Sequence, residues 1–165
     1  MTPVRTGADL THIDAWLFDL DETLYPPSSG LMTLIRDRIT DYVETISGLP
    51  REEARAIQRG WYEAHGAALP GLLAQYDASP SEFLDYVHDL SLDVIEPNPA
   101  LDAAIARLPG RRFIFTNGSL GHAERVLAQL GVAGRFEGIF FELIECLGEA
   151  FDGGIFFQVV AWVAI

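Results

Sequence analysis

Asp14-Ala15-Trp16-Leu17-Phe18-Asp19-Leu20-Asp21-Glu22-Thr23-Leu24-Tyr25 is the stretch on which the reading of this chain turns. An apolar run ends in one carboxylate, a second follows two positions later, and Pro26-Pro27 halts regular structure just beyond. The pattern predicts a buried strand that delivers Asp19 and Asp21 to its C-terminal tip. In open α/β sheets, ligands bind outside the carboxyl ends of the strands. Residues two apart in an extended chain point the same way, so both acids are expected to face one ligand, with Leu20 turned aside. Two chemistries fit the pair. One carboxylate could attack an electrophile while the other handles a proton, or both could help hold a hard cation such as Mg²⁺.

Downstream of the prolines the periodicity becomes helical. Leu31, Leu34, Ile35, Ile39, Tyr42, Val43 and Ile46 recur at three- and four-residue intervals, with Ser28 or Ser29 as the expected cap and Gly48-Leu49-Pro50 as the stop. Pro50-Arg51-Glu52-Glu53 opens a second helix, with proline first and acids in the first turn, running to about Gly66. Residues 69–76 predict a third helix, and residues 79–88 a fourth capped by Ser79 or Ser81. No strand signal interrupts this block. Residues 28–94 are therefore expected to form an all-helical lid inserted into an α/β core made of residues 10–27 and 95–165.

The core resumes after Glu96-Pro97-Asn98-Pro99. A helix is expected from Ala100 to Leu108, then a strand through Phe113-Ile114-Phe115 that ends in Thr116-Asn117-Gly118-Ser119. Ser119 can cap a following helix to about Leu130, with Gly131 as its stop. This alternation predicts a doubly wound, Rossmann-like parallel sheet with right-handed crossovers. At the second strand tip, Thr116 offers a hydroxyl, Asn117 an amide, and Gly118 a close backbone approach as a helix begins. That combination suits an anion.

Composition narrows the field. A length of 165 residues with 49% hydrophobic content suits one core domain plus a small lid. A formal net charge of −13 argues against general binding to nucleic acid or anionic membrane surfaces, so a phosphate ligand is expected to be small and locally held. The single cysteine, Cys146, leaves no internal disulfide, and residues 1–10 carry no apolar signal segment. A cytoplasmic protein is the expectation. The apolar run from Gly154 to Ile165 is shorter than the roughly 20 residues that span a bilayer. All 11 basic residues are arginine, and lysine is absent.

Phe18-Asp19-Leu20-Asp21-Glu22-Thr23-Leu24-Tyr25 resembles the first motif of the haloacid dehalogenase-like (HAD) hydrolase superfamily, and the Tyr25-Pro26-Pro27 continuation is similar to its pyrimidine 5′-nucleotidase-like branch. The resemblance implies Asp19 as nucleophile, Asp21 as general acid/base, and both as Mg²⁺ ligands. Thr116-Asn117-Gly118 resembles the second motif, which implies that Thr116 holds the transferred phosphoryl group with support from Asn117 and Gly118. A helical cap at this point of the chain is also implied. The implied activity is Mg²⁺-dependent hydrolysis of a small phosphomonoester, such as a pyrimidine nucleoside monophosphate, through an aspartyl-phosphate. Two alternatives stand beside it: an impaired relative that binds without turnover, and a haloacid dehalogenase. Asp21 and Thr23 favour phosphate over halide, because an alkoxide leaving group needs a proton donor.

The motif resemblance covers residues 14–140. The superfamily's third motif is a lysine, which has no counterpart here, and Arg111 and Arg112 stand at the wrong end of their strand. For the fourth, acidic motif the candidates are Glu142, Glu145, Glu149 and Asp152, of which Asp152 is the nearest match. The core is thus expected to be incomplete at its C-terminal end, and the sequence after about Phe141 to be foreign to the family. His12, His65, His88 and His122 show no metal-ligand spacing, so structural or surface roles are expected. Trp16 is expected in the core, and Trp61-Tyr62 between the lid helices.

Overall fold

The structure, a computed structural model, describes residues 10–141. Strands β1 (Ala15–Asp19), β2 (Arg111–Thr116) and β3 (Gly138–Phe141) form one parallel sheet in the order β1-β2-β3. Ala15 pairs with Arg111 and Asp19 with Phe115, so the C-terminal tips of β1 and β2 lie side by side and Thr116 stands one residue beyond the partner of Asp19. Parallel neighbours require crossovers. The first is long and helical. It contains α1 (Leu31–Ser47), α2 (Arg51–His65), α3 (Ala68–Gln75), α4 (Pro80–His88) and α5 (Pro99–Ala106), while α6 (Leu120–Leu130) makes the second. The α/β reading of the sequence is therefore correct, and residues 31–88 hold four helices with no strand between them.

Two apolar clusters organise the packing. The first joins Leu20, Leu24 and Tyr25 to Ile105 of α5, Ile114 of β2, and Ala123, Val126, Leu127 and Leu130 of α6, with Phe18 and Ile139 against it. The second lies among the four helices, around Val43, Ala54, Trp61, Leu72, Phe83 and Val87. Helix α1 serves both, giving Leu31 and Ile35 to the first and Val43 to the second. Burying a leucine- or phenylalanine-sized side chain is worth about 1.5–3 kcal/mol, so each cluster has a substantial apolar contribution of its own.

Local expectations fared unevenly. Neither Ser28 nor Ser29 takes the cap position of α1, although the Ser29 hydroxyl accepts the Leu31 amide at 3.4 Å. Pro27–Ser29 form a 3₁₀ turn and Gly30 takes the cap position at φ +80°, a left-handed conformation that a serine adopts only with strain. Ser79, not Ser81, caps α4, accepting from the Glu82 amide at 3.4 Å. Asn98 caps α5 at 2.9 Å, and Ser119 caps α6, which ends at Gly131 with φ +78°. Trp61 is buried as expected, but Tyr62 is 60% exposed, since adjacent helix positions point in different directions. Trp16 is half-buried, and its indole N–H donates to the Pro109 carbonyl at 2.6 Å. Cys146, the four C-terminal acids and the run from Gly154 to Ile165 lie outside the described residues. Among the described residues, no helix is long and apolar enough to cross a membrane.

Candidate active site

The tip of β1 is shaped by a tight turn. After Asp19 the chain leaves the extended path: the Leu20 carbonyl accepts from the amides of Thr23 at 3.2 Å and Leu24 at 3.0 Å, with Leu20 fully buried beneath. Glu22 sits at φ +56°, a left-handed conformation that costs a non-glycine residue about 1 kcal/mol or more and is characteristic of functional turns. The turn, rather than strand alternation, sets the direction of Asp21. The extended-chain argument for two acids facing one way therefore does not apply.

Asp19 and Asp21 have different surroundings. Asp19 accepts from the Thr23 hydroxyl at 2.6 Å through Oδ2, and its Oδ1 has no hydrogen-bond partner among the described residues. Asp21 is enclosed. Its Oδ1 accepts from the Tyr25 hydroxyl at 2.7 Å and lies 3.0 Å from Nε2 of His122, while Oδ2 accepts from the Thr116 hydroxyl at 3.4 Å. Burial alone would raise the pKa of Asp21, but the His122 hydrogen bond and charge, the Tyr25 hydroxyl and the more distant His88 together hold its carboxyl below the ordinary carboxylate range. Tyr25 responds in the opposite sense. Burial and the adjacent Asp21 carboxylate push its phenol well above the usual range, so it remains a hydrogen-bond donor.

The tip of β2 supplies the other wall. Thr116 is 1% exposed, and its hydroxyl also accepts the Gly118 amide at 3.0 Å. A Cβ on Gly118 would stand 3.0 Å from the His122 ring and 3.3 Å from the Thr116 hydroxyl, so the close approach inferred from Thr-Asn-Gly is a real constraint. Asn117 is exposed. The fold thus brings together Asp21, Thr116 and Gly118, places Asp19 at the adjacent strand tip, and turns Asn117 to solvent.

Two residues given structural or surface roles from sequence also meet here. His122, in the first turn of α6, has a fully buried side chain against Asp21. His88, the last residue of α4, stacks on it with ring centroids 4.2 Å apart and planes 18° from parallel. Burial and the charge of His122, offset in part by Asp21, push His88 down to about 4. The one sequence signal that could have flagged His122 is its place, three residues after the cap of a helix that starts at a strand tip.

The donor set can be tested against a hard cation. Mg²⁺ takes six oxygens, keeps several as water and needs one or two carboxylates. Asp19 offers an oxygen with no partner, whereas Asp21 would have to exchange one of its donors. Among the described residues, no group of three or more His, Cys, Asp and Glu side chains is placed to hold a metal. A cation anchored at Asp19 and otherwise hydrated fits this arrangement.

The chain thus places an acid pair at the tip of the first strand of a parallel sheet and Thr-Asn-Gly at the tip of the second. The sequence model of the haloacid dehalogenase-like hydrolases matches residues 13–152, and the chain belongs to that family. The match continues past Phe141, where the motif resemblance ends. The chain is also 25% identical over 137 residues to Phosphate metabolism protein 8 of Saccharomyces cerevisiae, which covers 76% of this chain and 42% of that protein. It therefore spans about two fifths of the length of this relative. Among solved structures, one assigned as a beta-phosphoglucomutase from Thermotoga maritima gives a TM-score of 0.40 at 19% identity, covering 78% of this chain and 61% of the other. The L-2-haloacid dehalogenase of Xanthobacter autotrophicus gives 0.38 at 16%, covering 78% and 56%.

Proposed function

We propose that the chain is the catalytic segment of a Mg²⁺-dependent phosphomonoester hydrolase, with Asp19 as nucleophile, Asp21 as general acid/base, and Thr116 and Gly118 receiving the phosphate with Asn117 at its rim. The observation that carries this reading is the convergence of Asp21, Thr116 and Gly118 beside Asp19 in a chain of the HAD family. The substrate favoured is a small phosphate ester, with a pyrimidine nucleoside monophosphate first because of the Tyr25-Pro26-Pro27 continuation. The helical block of residues 28–94 would act as a cap over the strand tips. The printed name of the yeast relative, a phosphate metabolism protein, agrees with a phosphate substrate.

In the first half-reaction, Asp19 Oδ1 bonds to phosphorus in line with the ester oxygen. The P–O ester bond breaks, and its electron pair leaves with the oxygen, which takes a proton from Asp21. In the second, Asp21 takes a proton from water, the water oxygen bonds to phosphorus, and the bond from phosphorus to Asp19 Oδ1 breaks, its electron pair returning to the Asp19 carboxylate as inorganic phosphate leaves. Asp21 rests ionised because of its donors, so it must be loaded with a proton before the first step. An arriving phosphate dianion favours that, because a nearby like charge raises a carboxyl group's affinity for protons. The Thr23 hydroxyl donates to Asp19 Oδ2, which leaves Oδ1 as the oxygen without a partner among the described residues. When bound, Mg²⁺ would neutralise phosphate charge next to Asp19.

The chain contains no lysine, so one fixed positive charge of the superfamily motif set is missing from these 165 residues. Losing a preorganised charge commonly slows such a step about 10²- to 10³-fold, so turnover is expected to be slow. The test is a panel of phosphate monoesters, nucleoside monophosphates included, assayed with and without Mg²⁺. Release of phosphate that requires Mg²⁺, vanishes in Asp19→Asn and falls about 10²- to 10⁴-fold in Asp21→Asn supports the reading. Halide release from a haloacid without phosphate release would replace it with the dehalogenase, and phosphate release undiminished in Asp19→Asn would refute it.

A further inference from the structure

We infer that His122 is a positioning residue for Asp21, and that His88, reaching in from the end of α4, braces it, so that the seating of the helical block on the sheet sets the aim of the proton-transfer group. The inference concerns how Asp21 is held. Its catalytic consequence rests on the phosphatase reading above.

The geometry runs in one line. Asp21 has a short polar side chain on a strained turn and would be free to swing about its Cα–Cβ bond. Two donors converge on its Oδ1, the Tyr25 hydroxyl from the same turn and Nε2 of His122 from α6, which leaves Oδ2 to the Thr116 hydroxyl, itself the acceptor of the Gly118 amide. Tyr25 is local, four residues along the chain. His122 is a hundred residues away, so it is the contact that ties Asp21 to the second strand tip.

His122 is itself fixed on both sides. Its amide donates to the Ser119 hydroxyl at 3.3 Å, Gly118 has no Cβ to push on its ring, and one ring face is covered by His88. Its Nδ1 is buried without a hydrogen-bond partner among the described residues. An ionised carboxylate can only accept, so the hydrogen bond places a proton on Nε2, pointing at Asp21.

The brace comes from the other side of the fold. The His88 ring shares a hydrogen bond with the Ser119 hydroxyl at 3.3 Å, and Arg125 of α6 donates to the carbonyls of His88 at 3.0 Å and Leu90 at 2.6 Å. The C-terminal end of α4 is thus fastened to α6 within one turn of His122. Movement of the four-helix block relative to the sheet must shift His88, and with it the face on which His122 rests.

Substitutions separate this role from ordinary packing. In His122→Gln the side-chain amide nitrogen falls close to the place of Nε2 and keeps a donor for Asp21; in His122→Asn the amide is too short to reach. On a nucleoside monophosphate, whose alkoxide needs a proton, His122→Asn is expected to lower kcat about 10- to 100-fold with KM unchanged, and His122→Gln to recover most of it. The burst of p-nitrophenol from p-nitrophenyl phosphate, which leaves without a proton, should keep its rate in both. His88→Ala should behave as a weaker His122→Asn, and His88→Phe, which keeps a stacked ring, as near wild type. Equal losses on both substrates, or no rescue by glutamine, would overturn the inference. Ring-nitrogen NMR gives a second reading that needs no turnover. Nε2 of His122 should carry a proton, and Asp21→Asn should move that resonance. An Nε2 without a proton, or a resonance indifferent to Asp21→Asn, would overturn the inference even in an active enzyme. If no ester is hydrolysed, the phosphatase reading fails and the NMR result alone decides this one.

Discussion

Asp21 and His122 share a hydrogen bond, and the His122 ring stacks on that of His88. His88 gives a stability prediction with a definite sign. Burial and the charge of His122 hold it down to about 4 in the folded protein, against 6.5 for an unperturbed histidine. Between those values the unfolded chain binds the proton and the folded one does not, so stability is complete above about pH 6.5 and declines as pH falls towards 4, by about 3 kcal/mol over the window. Asp21, held below the ordinary carboxylate range, loses its contribution only at still lower pH. Urea unfolding of wild type and His88→Phe at pH 7 and pH 5 should show a smaller pH effect in the variant, and identical pH effects would contradict this account of His88. These histidines were not legible in the sequence. They are 34 positions apart, with no shared spacing, and each by itself reads as an ordinary helix residue. Asp19, Asp21 and Thr116 were legible because each ends or follows an apolar strand run, a local pattern that needs no tertiary information. The reason given for Asp21 was nevertheless wrong, since a turn with left-handed Glu22 replaces the extended path.

At the scale of elements, the four-helix block stands on close packing between α2 and α3. Trp61 of α2 lies against Gly71 of α3 so closely that a Cβ on Gly71 would come within 2.1 Å of the indole. Gly60, in the interior of α2, faces open space. Two glycine-to-alanine changes in adjoining helices should therefore act with opposite sign. Gly71→Ala should destabilise by about 1–3 kcal/mol through overpacking, and Gly60→Ala should stabilise by about 0.5–1 kcal/mol through helix propensity. Denaturant midpoints at constant m-value measure both, and changes of the same sign would show that the packing is not as described. The number and order of these helices could be read from periodicity, because Pro50, Gly66, Pro80 and Gly131 punctuate the chain where helices start or stop. The cap of α1 could not. Serine is a good cap in general, but here the prolines ahead of it impose a 3₁₀ turn that consumes both serines and passes the role to Gly30.

The whole molecule carries 24 acidic residues against 11 arginines. Exposed pairs such as Arg111–Glu137 contribute little, so self-repulsion is expected to dominate the long-range electrostatics. Raising NaCl to about 0.1 M, where the Debye length is about 10 Å, should raise Tm, and a fall would mean that the ion pairs of Arg51 and Arg135 outweigh the net charge. At this scale the α/β architecture was legible from the alternation of apolar runs and helical periods, whereas the joining of α4 to α6 depends on Arg125 finding two backbone carbonyls far along the chain. The central claim is that Asp19 is the atom-transferring residue of a phosphatase built on this sheet. Its most direct measurement is mass spectrometry of peptides from the chain acid-quenched during turnover of a phosphate ester with Mg²⁺. The account predicts one added phosphoryl group on the peptide containing Asp19, lost in Asp19→Asn and accumulating in Asp21→Asn if dephosphorylation becomes the slow step. Turnover with no phosphorylated peptide, or with the group on any other residue, would contradict it.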